Sequence, residues 1–283
     1  MDASSDDQQP IPAGSPTSQR PAGHAPARQR EKHCDRHGPF TATEFYPGSR
    51  NWTGCPTCSE ERTAQQLADE AAARQHEETQ RAERIRVNRM EISGLVGRMH
   101  AHTFDNFEAQ SDGHRLVRDT CRSFVTPLVS ETGGGLWLLG LPGTGKTHLG
   151  SAMVSHVINV ERKRACIYSA RELVRMLRAS WGRKQGDMED ARWWMSQTED
   201  ELVEYLGTAG LLVLDEIGSS FNSDGERTQL FDIIDLRYKH SLPTVLISNL
   251  NTSGIRSALG ERSFDRLREG AQVLRCTWAS HRQ

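Results

Sequence analysis

Residues 135–158 read GLWLLGLPGTGKTHLGSAMVSHVI. The apolar run up to Leu139 predicts a short buried strand, and the apolar periodicity after Lys146 predicts a helix. Between them stands Gly140-Leu141-Pro142-Gly143-Thr144-Gly145-Lys146-Thr147, the spacing G-x-x-x-x-G-K-T in the strand–turn–helix setting it needs. Glycines at these places let backbone N–H groups close around phosphate oxygens without side-chain clash, and the helix that follows turns its positive end to the same anion. Lys146 is expected to reach the β- and γ-phosphates, and the Thr147 hydroxyl to bind Mg²⁺. The turn with His148 at its end is the expected ATP-binding segment.

Outward from this segment, further apolar runs occur at Ala165–Tyr168, Leu211–Leu214, Thr244–Ser248 and Val273–Cys276. The segments between them are long enough for helical crossovers, so the fold class expected is α/β with a parallel sheet flanked by helices. Leu211–Leu214 ends in Asp215-Glu216. Ligands of open α/β sheets bind beyond the carboxyl ends of the strands, so both acids are expected beside the phosphates. Asp215 would hold Mg²⁺, and Glu216 would act as general base on the attacking water. Thr244–Ser248 ends in Asn249, an amide placed to help orient that water. Near the end of the chain, Arg262 and Arg266 are four apart, hence on one helix face. One of them is expected to contact the γ-phosphate, within the subunit or across an interface.

The segments GLPGTGKTH, LLVLDEIG, TVLISNL and LGERSFDRL, in this order, resemble the AAA+ ATPases. More narrowly they are similar to the DnaC-type helicase loaders and the related IstB transposition ATPases. The phrases Thr103-Phe-Asp-Asn-Phe107 and Cys276-Thr-Trp-Ala-Ser-His-Arg282 look like the former. The resemblance covers about residues 100–283. It implies an ATP-driven, self-assembling loader that places the hexameric replicative DNA helicase on single-stranded DNA. It also implies that Arg262 and Arg266 belong to an intersubunit ATP site, and that Phe104 lies near the nucleotide base; which of the two arginines is the finger the sequence leaves open, with a preference for Arg262. A transposition helper would use the same site for another client. A non-hydrolysing DNA- or protein-binding adaptor is the reading from a different class, and the intact Lys146, Thr147, Asp215 and Glu216 speak against it.

The amino-terminal part has another texture. Cys34-Asp-Arg-His37 and Cys55-Pro-Thr-Cys58 are two ligand pairs separated by 17 residues. Three thiolates and one imidazole make a closed tetrahedral Zn²⁺ site, and a module of this size needs such a metal to fold. Cys121, Cys166 and Cys276 are scattered in core-like segments and read as buried apolar residues. The expected domains are a disordered, Pro-rich tail at 1–32, a zinc-binding module at 33–58, a helical linker at 59–98 and the AAA+ ATPase domain at 99–283.

The formal net charge is -2, which excludes a uniformly basic DNA binder but not a local basic face. Such a face is expected on residues 161–186, where Arg171, Arg175 and Arg178 fall on one helical stripe beside Tyr168 and Trp181, a composition suited to single-stranded DNA. No run is long and apolar enough to span a membrane, and the first residues lack the pattern of a secretory signal. With six cysteines and no disulfide framework, a cytoplasmic protein is expected.

Overall fold

The computed structural model describes residues 27–126, 134–181, 197–218 and 224–280. It divides into two compact units, with the boundary after Glu78.

The first unit is built on a hairpin. Strand β1 (Gln29–Cys34) pairs antiparallel with β2 (Gly38–Thr43), and Glu44 and Trp52 extend the pairing as a single bridge. Helix α1 (Pro56–Glu91) starts in this unit and has no buried residue. That fits its sparse apolar content, and Glu70–Arg74 forms one of its surface pairs. Two expected boundaries move. Gln29–Lys32 is strand rather than tail, because its backbone bonds pair with β2; the rest of the expected tail, residues 1–26, lies outside the described residues. The helix begins at Pro56, so Cys58 sits in its first turn instead of before it.

The second unit holds a five-stranded, all-parallel sheet in the order β4-β5-β6-β3-β7. Its strands are β3 (Gly135–Gly140), β4 (Ala165–Ser169), β5 (Leu211–Asp215), β6 (Thr244–Ser248) and β7 (Gln272–Cys276). All five apolar runs of the sequence are therefore strands. β3, β5 and β6 lie inside the sheet and are almost wholly buried, as strands covered on both faces should be. On one face Leu136, Leu138, Val213 and Ile247 meet α2 (Asp112–Val125) and α3 (Lys146–Asn159). On the other face Trp137, Leu212, Leu214 and Leu246 meet α4 (Ala170–Ser180), α5 (Glu199–Gly207), α6 (Asp224–Lys239), α7 (Thr252–Leu259) and α8 (Glu261–Arg268).

The segment after α1 belongs to this core, so the second unit starts before residue 99, the expected boundary. Leu95 is buried, and the Ser93 carbonyl accepts from Ile167 N–H on the edge strand β4 at 2.8 Å. That covers part of an edge otherwise open to pairing. Gly94 sits in the left-handed region at φ +80°, with the Ile167 carbonyl 2.0 Å from where a Cβ would be, so no other residue fits there.

Candidate nucleotide site and Cys–His centre

Beyond the carboxyl ends of β3, β5 and β6 lies a cavity of about 470 Å³. Pro142, Gly143, Gly145, Lys146, Thr147 and His148 line one part of it, Asp215, Glu216 and Asn249 another. Three motifs far apart in sequence thus converge, because parallel strands deliver their carboxyl ends to one edge. Thr147 donates to Asp215 Oδ2 at 2.8 Å, so the two oxygens expected to share Mg²⁺ are already adjacent. The Lys146 ammonium folds back on its own loop, donating to the carbonyls of Gly140 (2.9 Å) and Leu141 (2.6 Å) and to Thr144 Oγ1 (3.2 Å). Phosphate oxygens can take over those bonds. Gly145 has φ +83°, and a Cβ there would stand 2.6 Å from the Phe107 ring, so the loop is fitted to glycine by both backbone and packing.

Burial pushes the Asp215 carboxyl above its ordinary value, opposed by the Thr147 hydroxyl and the Glu216 N–H. A divalent cation is the charge such a carboxylate needs. Glu216 itself is exposed to the cavity, and its backbone stands at φ +53°, a costly conformation for a non-glycine residue. The turn is held by Glu216 N–H on Asp215 Oδ1 (2.7 Å) and by Ile217 N–H on the Ile247 carbonyl (3.1 Å). At the end of β7 the tail returns to the loop: the Trp278 indole N–H donates to the Thr144 carbonyl at 3.0 Å while its ring packs on His114.

Several sequence expectations are corrected. Phe104 does not reach the cavity; it is 4% exposed and sits in the core edge-on to His156. The cavity is instead completed by Val96, Arg98, Met99 and His102, and His102 stacks on His148 with ring centres 4.2 Å apart. No motif marks these residues; the one signal was their place just ahead of Thr103. Tyr168 is no stacking platform. It is 5% exposed, and its hydroxyl donates to the Ile92 carbonyl at 2.8 Å, because the segment after α1 covers it. Arg178 is held by the wholly buried Glu226, which leaves Arg171 and Arg175 as the open part of the stripe. Arg183 and Lys184 lie outside the described residues.

Arg262 and Arg266 do not line the nucleotide cavity. Both are on α8. Arg266 donates to Asp235 at 2.7 Å and lies over the Phe231 ring at 4.5 Å. Arg262 is exposed and makes no ion pair among the described residues.

In the first unit, Cys34, His37, Cys55 and Cys58 bring four ligand atoms within 4.8 Å of one another. His37 Nδ1 lies 3.8 Å from Cys34 Sγ, 3.7 Å from Cys55 Sγ and 3.2 Å from Cys58 Sγ, and the Cys34 and Cys58 sulfurs are 3.5 Å apart. A tetrahedron with bonds of about 2.3 Å to sulfur and about 2.0 Å to nitrogen has edges of this size. The other ring nitrogen of His37 meets Glu61 Oε1 at 3.0 Å, the outer carboxylate that fixes a ligating imidazole. The N–H groups of Arg36 and His37 bring the Cys34 thiol down to about 6, whereas hydrogen bonding to Cys34 pushes Cys58 up to about 11. His33, next to Cys34 in sequence, is outside the cluster. Burial raises the thiols of Cys121, Cys166 and Cys276, in keeping with apolar core roles.

Residues 57–283 match the family described as IstB-like ATP binding protein. The chain belongs to that family. It is similar to the replicative helicase loader DnaC of Buchnera aphidicola subsp. Acyrthosiphon pisum, with 30% identity over 64% of this chain and 69% of the relative. The Escherichia coli K12 DnaC is 26% identical over 64% of this chain and 69% of its own length. Among solved structures, the DnaC helicase loader superposes with a TM-score of 0.53 at 23% identity, covering 64% of this chain and 99% of that one. DnaI does so with a TM-score of 0.53 at 22% identity, covering 69% and 98%. The fold is that of these AAA+ proteins, and the family is one of P-loop ATPases.

Proposed function

We propose that this protein is an ATP-driven loader that binds the replicative hexameric helicase and places it on single-stranded DNA. The observation that supports it best is the single cavity lined by Lys146, Thr147, Asp215, Glu216 and Asn249, in a chain whose relatives carry the name helicase loader. In this reading ATP lies with its phosphates on the loop after β3 and its base toward Met99 and His102. Thr147 and Asp215 hold Mg²⁺, which neutralises charge on the phosphates. Lys146 leaves the loop carbonyls for the phosphate, Glu216 takes the proton of the attacking water, and Asn249 fixes that water in line.

Arg262 is the proposed finger. It is exposed, makes no ion pair among the described residues and lies away from its own cavity, so it serves a neighbouring subunit's ATP in a self-assembled oligomer; Arg266 is occupied by Asp235. The Cys34–His37–Cys55–Cys58 cluster is proposed to hold one structural Zn²⁺. The four donors leave no open position, so the metal's role is to fold the hairpin module. No helix among the described residues is long and apolar enough to cross a membrane, and a cytoplasmic location follows from the proposed replication role.

The test is capture of the cognate replicative helicase by the tagged full chain, with and without ATP. Retention of helicase, and its ATP-dependent transfer to single-stranded DNA, is the expected result. Capture of a transposase in its place, with no helicase, would support the transposition helper instead.

A further inference from the structure

The surface of the first unit holds an arrangement that neither the metal cluster nor the ATP site uses. Phe45 and Tyr46 are adjacent, and they are 67% and 65% exposed. Large aromatic rings so open on a small module are unusual. They are not on a loose loop. Phe45 N–H donates to the Asn51 carbonyl (3.2 Å) and Ser49 N–H to the Tyr46 carbonyl (2.9 Å). The buried Glu44 carboxylate accepts from Gly48 N–H (3.0 Å) on one oxygen and Arg28 N–H (2.9 Å) on the other. The loop backbone is thus pinned at both ends and across its middle, so it need not be ordered when the two rings bind a ligand.

Cations are present in the same module. Arg50 is exposed in the same loop, Arg28 leads into the hairpin, and Arg30 lies over the Trp52 ring at 4.2 Å. Lys32 follows on the same face of β1 as Arg30. Of the three acids in this region, Glu44 is turned inward to the backbone. Pro47, Gly48 and Ser49, which follow the rings, add no further large side chain to the loop. Isolated ring faces at adjacent positions, among arginines, match the pairing of base stacking with phosphate neutralisation.

We infer that the Phe45–Tyr46 loop, with Arg50, Arg28 and Arg30, is a stacking platform for single-stranded nucleic acid. The choice of ligand is shared with the proposed function, but the site is distinct from Arg171 and Arg175 on α4, where the sequence alone pointed. Bases would stack on Phe45 and Tyr46 while the arginines meet the phosphates, without reading sequence.

The test uses the full chain, with zinc and ATP–Mg²⁺ present, and a fluorescein-labelled oligo(dT) of about 20 nucleotides followed by anisotropy. The F45A/Y46A double variant should weaken binding roughly tenfold or more. Both side chains are exposed, and unchanged zinc content will show that the module is intact. F45L/Y46L, which keeps apolar bulk but removes the ring faces, should lose nearly as much. Arg50→Gln should lower the log–log salt slope by about 0.7. Double-variant binding equal to wild type overturns the inference, as does a loss found only on changing Arg171 and Arg175. Normal oligonucleotide binding with lost helicase capture overturns it too, and assigns the loop to a protein partner. If the wild-type chain binds no oligonucleotide, both this inference and the DNA step of the proposed function fail; helicase capture is read separately.

Discussion

In the proposed mechanism Lys146 holds the phosphate and Glu216 activates the water that attacks it, so changes at the two should fail differently. Lys146 now satisfies two loop carbonyls that a bound phosphate would release. Lys146→Ala should therefore abolish ATP binding in an equilibrium nucleotide assay. Glu216→Gln keeps shape and loses the base, so it should bind ATP normally and hydrolyse it about 10²–10⁴-fold more slowly. Hydrolysis at the wild-type rate would remove Glu216 from the role of base. A pH effect belongs to His156. Burial holds its pKa below the ordinary value, Arg122 lowers it further, and Glu161 at 4.0 Å opposes them; Thr126 bonds its ring and Phe104 packs edge-on. The unfolded chain then binds the extra proton more readily than the folded one. Stability is full above the ordinary histidine pKa of about 6.5 and is lost as pH falls toward the depressed folded value. Urea midpoints measured from pH 7.5 down to 5 should fall, and less steeply in His156→Gln.

Between elements, one buried cation joins several. The Arg237 guanidinium on α6 donates to the carbonyls of Leu206 (2.9 Å), Ala209 (2.7 Å) and Pro243 (2.5 Å) and to Thr244 Oγ1 (2.9 Å). It thereby ties the end of α5 and the approaches to β5 and β6, and burial brings its pKa down to about 10. Arg237→Met should strand those carbonyls at about 1–3 kcal/mol for each one left unpaired. The expected result is a loss of at least about 3 kcal/mol in urea unfolding. A change under 1 kcal/mol would mean that water replaces the guanidinium.

At the scale of the molecule, the two units should fail independently. Cys55→Ser should remove zinc from the purified protein, read by metal analysis, while the thermal transition of the ATPase domain persists, because its core lies elsewhere. Retention of zinc at full occupancy would exclude Cys55 as a ligand. Assembly has its own test. Arg262→Ala and Glu216→Gln subunits should each be inactive, yet a mixture should regain part of the ATPase rate, since one supplies the arginine and the other the base. If the variants co-assemble and the mixture stays inactive, Arg262 does not act across an interface.

The chain itself determined the parallel α/β class: apolar runs of strand length, spaced by helical stretches, can bury both faces in few other ways. Glycine spacing likewise marked the phosphate turn, and paired ligand spacing marked Cys34, His37, Cys55 and Cys58, because both are local chemistry. What approaches from a distance was not legible. Tyr168 read as an open stacking ring and Phe104, by resemblance, as a neighbour of the nucleotide base, but distant segments cover them: the Ile92 carbonyl takes the Tyr168 hydroxyl, and His156 of α3 meets the Phe104 ring. Arg178 and Arg266 read as free cations until Glu226 and Asp235 of α6 arrive beside them. Sequence periodicity places a side chain on a face of its own element; only tertiary packing decides what lies opposite that face.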